Sequence, residues 1–155
     1  MEQNEQDFWD MRSKDGRDQI FADAALLWEN ARAYFKYCKG NPLKHTSQNE
    51  DERFSVRVQA ITIYGLCLYI GCTAQWFEDF KSGLADREEE WTDADKAMQE
   101  VIDRIEQVVY LHKYNYAIAG LMNVRMVIRE IEMGEKKDVE DKRPVWRARV
   151  ADDDE

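Results

Sequence analysis

A mainly α-helical fold is predicted by three features of this sequence. Apolar residues recur at steps of three and four along several stretches. Asp23, Thr62 and Thr73 each stand where a side-chain oxygen can cap a helix N-terminus, and Thr92 begins the longest periodic segment. The breaks fall on Gly40-Asn41-Pro42 and on Gly71, residues that end helices. The 155 residues suit one domain. Residues 1–134 read as its helical core and residues 135–155 as a charged tail.

The elements follow in order. Residues 1–22 form an arm in which Phe8, Trp9, Arg12 and Arg17 show no clear period. Wet Phe and Trp side chains are costly, so the arm docks either on the chain's own core or on a neighbouring subunit. A helix over 23–40 carries Leu27, Ala31, Tyr34, Phe35 and Cys38 on one face, with Asp23 as its cap. In the region 43–60, Phe54, Val56 and Val58 alternate with Ser55, Arg57 and Gln59. This is a short strand pattern that pairs with Leu43 to Thr46 as a β-hairpin with an acidic tip.

A helical corner follows over 62–81. Thr62 opens a first short helix with Leu66, Tyr69 and Ile70; Gly71 turns the chain; Thr73 opens a second with Trp76, Phe77 and Phe80. Residues 82–91 read as a charged connector. Long helices occupy 92–133. The first bears the stripe Met98, Val101, Ile102, Ile105, Val108, Val109 and His112, and a bend is expected at Tyr114-Asn115-Tyr116. The second, from Ala117 to about Met133, is apolar nearly all round through Ile128. Such a helix is covered by a core or by another subunit, and in a chain this small it suggests an oligomer. Met122, Met126 and Met133 then belong to core or subunit contact, and Asn123 and Arg125 need polar partners or a channel to face.

Composition excludes several classes. The net charge of −10 rules out a surface that coats nucleic acid, so any phosphate contact must be local. No apolar run approaches the roughly 18 residues of a membrane span, and the acidic N-terminus does not read as a secretory signal. Cys38, Cys67 and Cys72 are odd in number and lack metal-ligand spacing; they read as buried thiols in a reducing cytoplasm. There is no P-loop and no His-Glu-x-x-His. His112 reads as a hydrogen-bonded core or interface residue, and no carboxylate pair stands out as acid and base. The chain reads as non-enzymatic, with no cofactor or metal.

Two segments carry nucleic-acid signals. The second helix of the 62–81 corner would have to present cations to base edges. It offers Gln75 and Lys81 but also Glu78 and Asp79, so a packed corner is favoured over a groove reader. Within 142–149, Lys142, Arg143, Arg147 and Arg149 lie together without an acid, and Lys136 and Lys137 precede them. A basic arm of this kind neutralises phosphates without sequence preference, and Trp146 can stack or dock on a partner. Against this, Asp138, Glu140, Asp141 and the terminal Asp152-Asp153-Asp154-Glu155 more than cancel its charge, as in a merely solvated tail.

The combination Phe8-Trp9, Arg12-Ser13, Gly16-Arg17, Leu27-Trp28, Tyr34-Phe35 and Asn41-Pro42-Leu43 resembles the small terminase subunit of tailed phages. The resemblance runs from Phe8 to about Lys137 and fits poorly at 44–53 and 82–91. It implies a mainly α, ring-forming subunit of nonameric type with a short β-hairpin, in which the helix-turn-helix-like corner read from the residues at 62–81 is part of the ring body. It implies a protein of the host cytoplasm, absent from the mature virion, that recognises double-stranded viral DNA. That protein would deliver the DNA to the large terminase subunit and regulate its ATPase and nuclease. On this reading Lys136, Lys137, Lys142, Arg143, Arg147 and Arg149 hold DNA. Phe8, Trp9, Arg12, Arg17, Met122, Asn123 and Met126 meet neighbouring subunits. A dimeric helix-turn-helix transcription regulator and an interaction protein without DNA contact are the alternatives.

Overall fold

The computed structural model describes residues 8–42 and 59–141, with side chains from 9 to 42 and from 59 to 133. The expected hairpin strands at 43–46 and 54–58 lie outside the described residues. Six α-helices and two short 3-10 turns make up the rest, and no strand occurs among the described residues. They are α1 (Arg17–Ile20), α2 (Ala24–Gly40), α3 (Ile63–Ile70), α4 (Ala74–Asp86), α5 (Asp93–Ile118) and α6 (Val124–Asp141). The 3-10 turns are Phe8–Asp10 and Glu88–Glu90.

Local chemistry sets the helix starts. Asp23 accepts the Ala25 N–H, Thr62 the Gly65 N–H and Thr73 the Trp76 N–H. Thr92 and Asp95 form a reciprocal capping box, which holds the Asp95 carboxylate below its ordinary pKa through the Thr92 N–H.

The core is built on α2 packed against α5. α1 and α3 lie on α2, α4 joins α3 to α5, and α6 folds back on α5. Leu27, Ala31 and Tyr34 of α2 meet Ile102, Ile105 and Val109 of α5 in one buried cluster, with Leu66, Ile70, Phe77 and Leu84 closing it. α4 is fastened to α5 by a Lys81–Glu106 ion pair, by Arg87–Asp95 at 2.8 Å, and by the Trp91 indole N–H donating to the Leu84 carbonyl at 2.7 Å.

The arm contains a 3-10 turn and α1, and of the two docking alternatives its own core takes Met11, Ile20 and Phe21. Three sequence expectations are corrected. The charged stretch 82–91 is not a plain connector, because α4 continues to Asp86 to bury Leu84 and a 3-10 turn follows. α5 runs straight through Tyr114-Asn115-Tyr116. The break comes later, where Gly120 takes φ 72 and the Leu121 N–H returns to the Tyr116 carbonyl at 2.8 Å. The segment from Ala117 is therefore the end of α5, a turn, and then α6.

The arm is held by a polar clamp. Asn30 is the one buried polar residue among those described. Its amide N–H groups donate to Asp15 at 3.1 Å and to the Leu26 carbonyl at 3.0 Å, and its amide oxygen accepts from the Ser13 hydroxyl. The Ser13 N–H reaches across to the Tyr69 carbonyl of α3 at 2.8 Å. Burying an amide is tolerable only when its groups are paired in this way. Removing Asn30 leaves Ser13 and Asp15 without their partner. Asn30→Leu is expected to lower stability by about 1–3 kcal/mol in urea titrations. It should also speed tryptic cleavage after Arg12, Lys14 or Arg17. Unchanged cleavage there would show that Met11, Ile20 and Phe21 hold the arm alone.

Tyr34 is 1% exposed, and burial pushes its phenol up to about 12. Its hydroxyl accepts the Thr62 N–H at 3.3 Å, tying α2 to the start of α3. The ring lies against Gly65: a Cβ there would collide with the phenol oxygen and sit 2.9 Å from Cζ. Gly65→Ala should therefore cost about 1–3 kcal/mol by overpacking. Part of that loss should return in the double variant with Tyr34→Phe, measured by chemical denaturation.

Candidate functional site

The candidate residues lie in three places. The first is the arm against the α3–α4 junction. Arg12 is exposed and donates to the Trp9 and Met11 carbonyls at 3.1 and 2.8 Å. Arg17 stands 5.0 Å over the Trp76 ring, which stacks on Phe80 and meets the edge of Phe21 at 4.7 Å. Both arginines are thus already engaged within their own chain. With Leu68, Cys72, Thr73 and Trp76 they line an open cavity of about 430 Å³. Trp9 remains 54% exposed beside them, and Phe8 lies in the 3-10 turn.

The outer face of α4 presents acid. Glu78 and Asp79 are exposed, Gln75 donates to Asp79 at 2.8 Å, and Lys81 is drawn back toward Glu106 and Glu78. No cation on this helix is offered to a phosphate, for a physical reason: Lys81 is spent joining α4 to α5.

The second place is the hairpin of α5 and α6. Lys113 pairs with Glu130 at 2.6 Å and Val127 is buried between the two helices. Several other apolar residues at the end of α5 and along α6 face outward. Ile118 is 69% exposed and Met126 66%, and Val124, Ile128 and Met133 are also exposed. Tyr110 and Tyr114 stack on each other at 6.0 Å on the surface of α5. Met122 is half-buried. The Asn123 side chain accepts the Arg125 and Met126 N–H groups at 3.0 and 3.3 Å and so caps α6. The signal for this is present in the sequence, an Asn two and three residues ahead of those amides. A helix drawn from Ala117 hides it, because Asn123 then falls inside the helix instead of at its start.

The third place is the basic segment. Lys136 and Lys137 fall on the backbone of α6, which extends to Asp141. Lys142, Arg143, Trp146, Arg147 and Arg149 lie outside the described residues.

His112 departs from the hydrogen-bonded role its sequence position suggests. Its ring packs 4.4 Å from Tyr116, and its buried Nδ1 finds no partner among the described residues. Burial, and then the Lys113 charge, hold its pKa below the ordinary value, so the imidazole is neutral near pH 7. It borders a cavity of about 420 Å³ between α2 and the end of α5, rimmed by Lys36 and Lys39. Among the described residues, no group of three His, Cys, Asp or Glu is arranged to hold a metal, and no helix is long and apolar enough to cross a membrane.

The clamp formed by Ser13, Asp15 and Asn30 does not stand out in the sequence. Its only local sign is Ser-x-Asp, and the partner lies 15 to 17 residues away.

Comparison with known proteins adds two findings. Residues 16–140 match the family model described as DNA-packaging protein gp3. The terminase small subunit of Salmonella phage P22 is 31% identical over 142 residues, covering 88% of this chain and 80% of that protein.

Proposed function

Given that this chain belongs to the phage terminase small-subunit family of DNA-packaging proteins, we propose that it is a non-catalytic recognition subunit for viral genome packaging. It binds double-stranded viral DNA, hands it to the large terminase subunit and regulates the ATPase and nuclease carried there. It works in the host cytoplasm as a homo-oligomeric ring of nonameric type. The family match over residues 16–140 carries this reading.

The α5–α6 hairpin supports self-association. One chain leaves Ile118, Val124, Met126, Ile128 and Met133 in water at the end of α5 and around α6. Surface of this kind marks a protein contact, and a second copy of the same hairpin is the partner proposed. Phe8, Trp9, Arg12, Arg17, Met122 and the Asn123-capped turn join that contact from the edges. The arginines take part through their stems and through the guanidinium donors left over from their internal bonds.

Charge supports a division of labour. The whole chain carries −10, so its body repels phosphate. Lys136, Lys137, Lys142, Arg143, Arg147 and Arg149 form the local basic segment that holds DNA through counterion release, while Trp146 stacks or docks on the large subunit. Weak, sequence-independent contacts from such arms would let captured DNA slide past an acidic body. The acidic residues 152–155 compete with DNA for the same arginines and moderate its affinity. The acidic outer face of α4 weighs against the alternative of an operator-reading regulator.

Native mass tests the assembly. Light scattering at micromolar concentration should give a particle several-fold heavier than a dimer, and Met126→Asp with Ile128→Asp should shift it to smaller species while helicity is kept. A well-folded monomer of the unaltered chain would overturn the ring.

Deletion of 142–155 tests the DNA arm. Non-specific duplex binding at low salt should fall at least about tenfold, and the salt dependence should flatten by roughly one logarithmic unit of slope for each phosphate no longer neutralised. Unchanged binding after deletion would exclude the arm.

A further inference from the structure

We infer that Cys72 and Cys67 form a thiol-modification site. Cys72 takes up an anionic low-molecular-weight disulfide of the glutathione type, and Cys67 then displaces that group to close an internal disulfide across the end of α3. This site goes beyond the packaging role and belongs to the unassembled chain, in which Arg12 and Arg17 line an open cavity.

The backbone brings the two cysteines together. α3 ends at Ile70, and Gly71 adopts φ 89, in the left-handed region. The Gly71 and Cys72 N–H groups both return to the Cys67 carbonyl at 2.9 Å. This double closure folds position 72 back over position 67, the arrangement in which the side chains at these two places of a helix end touch. A disulfide needs two cysteines whose α-carbons the backbone holds near one another, and this closure does that for positions 67 and 72.

Access is unequal. Cys67 is 2% exposed and packed in the core. Cys72 is half-buried and lines the 430 Å³ cavity with Arg12 and Arg17. That volume is within the range of small-molecule sites, and its two guanidinium groups suit a reagent that carries carboxylates. Cys72 is therefore the sulfur that meets a reagent, and Cys67 is the sulfur behind it.

Electrostatics agrees with this geometry. The hydrogen bond from the Cys67 thiol, and then the Arg17 charge, lower the Cys72 pKa, while burial opposes them. The bond to Cys72 and burial together raise that of Cys67. Of the two thiols Cys72 is therefore the one that gives up its proton more readily, and the thiolate is the nucleophilic form. Cys38 has a different environment: it is 2% exposed, sits one helical turn from Tyr34, and burial raises its pKa.

The chemistry balances in two steps. The Cys72 thiolate attacks one sulfur of the small disulfide, forming a mixed disulfide and releasing one small thiolate. Cys67 then loses its proton to solvent and attacks the Cys72 sulfur, expelling the second small thiolate. Two protein thiols are oxidised, one small disulfide is reduced to two thiols, and a bond joins Cys67 to Cys72.

The test uses the intact chain. Brief alkylation with iodoacetamide at neutral pH, followed by peptide mapping, should label Cys72 at least about tenfold faster than Cys38 or Cys67. Incubation with oxidised glutathione should yield a protein two hydrogens lighter, with a peptide linking Cys67 to Cys72. Cys67→Ser should stop at a stable glutathione adduct on Cys72, and Arg17→Gln should slow labelling of Cys72. Circular dichroism confirms that each variant is folded. Faster labelling of Cys38 or Cys67 than of Cys72 in the unaltered chain would overturn the proposal. So would an oxidised product in which Cys67 and Cys72 are not joined.

Discussion

The burial of Asn30 in the middle of α2 constrains most of this structure. An amide placed among Leu27, Ala31 and Tyr34 must find every partner locally. One donor is satisfied by its own helix at Leu26, and the other two contacts come from the arm through Asp15 and Ser13. Ser13 in turn bonds α3 through the Tyr69 carbonyl. Three segments distant in sequence are thereby indexed to one another. The apolar anchors Met11, Ile20 and Phe21 supply the burial, and the amide supplies the register.

That register shapes the surface around it. With the arm fixed, Arg17 lies over Trp76, and Phe21 meets Trp76, Phe77 and Phe80 of α4. The aromatic cluster closes one end of the domain and leaves the cavity that reaches Cys72. On the opposite side, α4 is held to α5 by charge, which spends Lys81 and leaves Glu78 and Asp79 outward. The end of α5 and most of α6 leave Ile118, Val124, Met126, Ile128 and Met133 exposed. A domain that satisfies itself at one end and leaves apolar surface at the other suits an assembling subunit.

Much of the helical character is legible because its signals are local. A Thr or Asp ahead of a periodic run caps the same helix within three residues, so Asp23, Thr62 and Thr73 can be read without knowledge of the fold. Gly71 is legible for the same reason. The differences between sequence and structure share another cause. Ser82 and Gly83 make Lys81 look like the end of α4, yet Leu84 is buried and its carbonyl accepts the Trp91 indole N–H. Tyr114-Asn115-Tyr116 looks like the α5–α6 break because those residues propagate helices less well. Their cost is small beside the cooperative continuation of a long helix, whereas Gly120 offers a left-handed cap. The capping role of Asn123 is hidden when its helix is drawn from Ala117 instead of from Val124. The relation to terminase small subunits is legible from the spacing of aromatic and Arg pairs.

By itself, the sequence determined the mainly helical class, most helix starts, the acidic balance and the family. Each is written in residues near one another or in composition, where short-range hydrogen bonding and net charge suffice. Only the tertiary structure decided that the arm folds onto its own core, that Lys81 and Arg17 are engaged internally, that Cys67 and Cys72 meet, and which face of α6 stays wet. Those outcomes depend on contacts between residues far apart in the chain, and on competition among several partners for one buried site. No periodicity or motif encodes that competition.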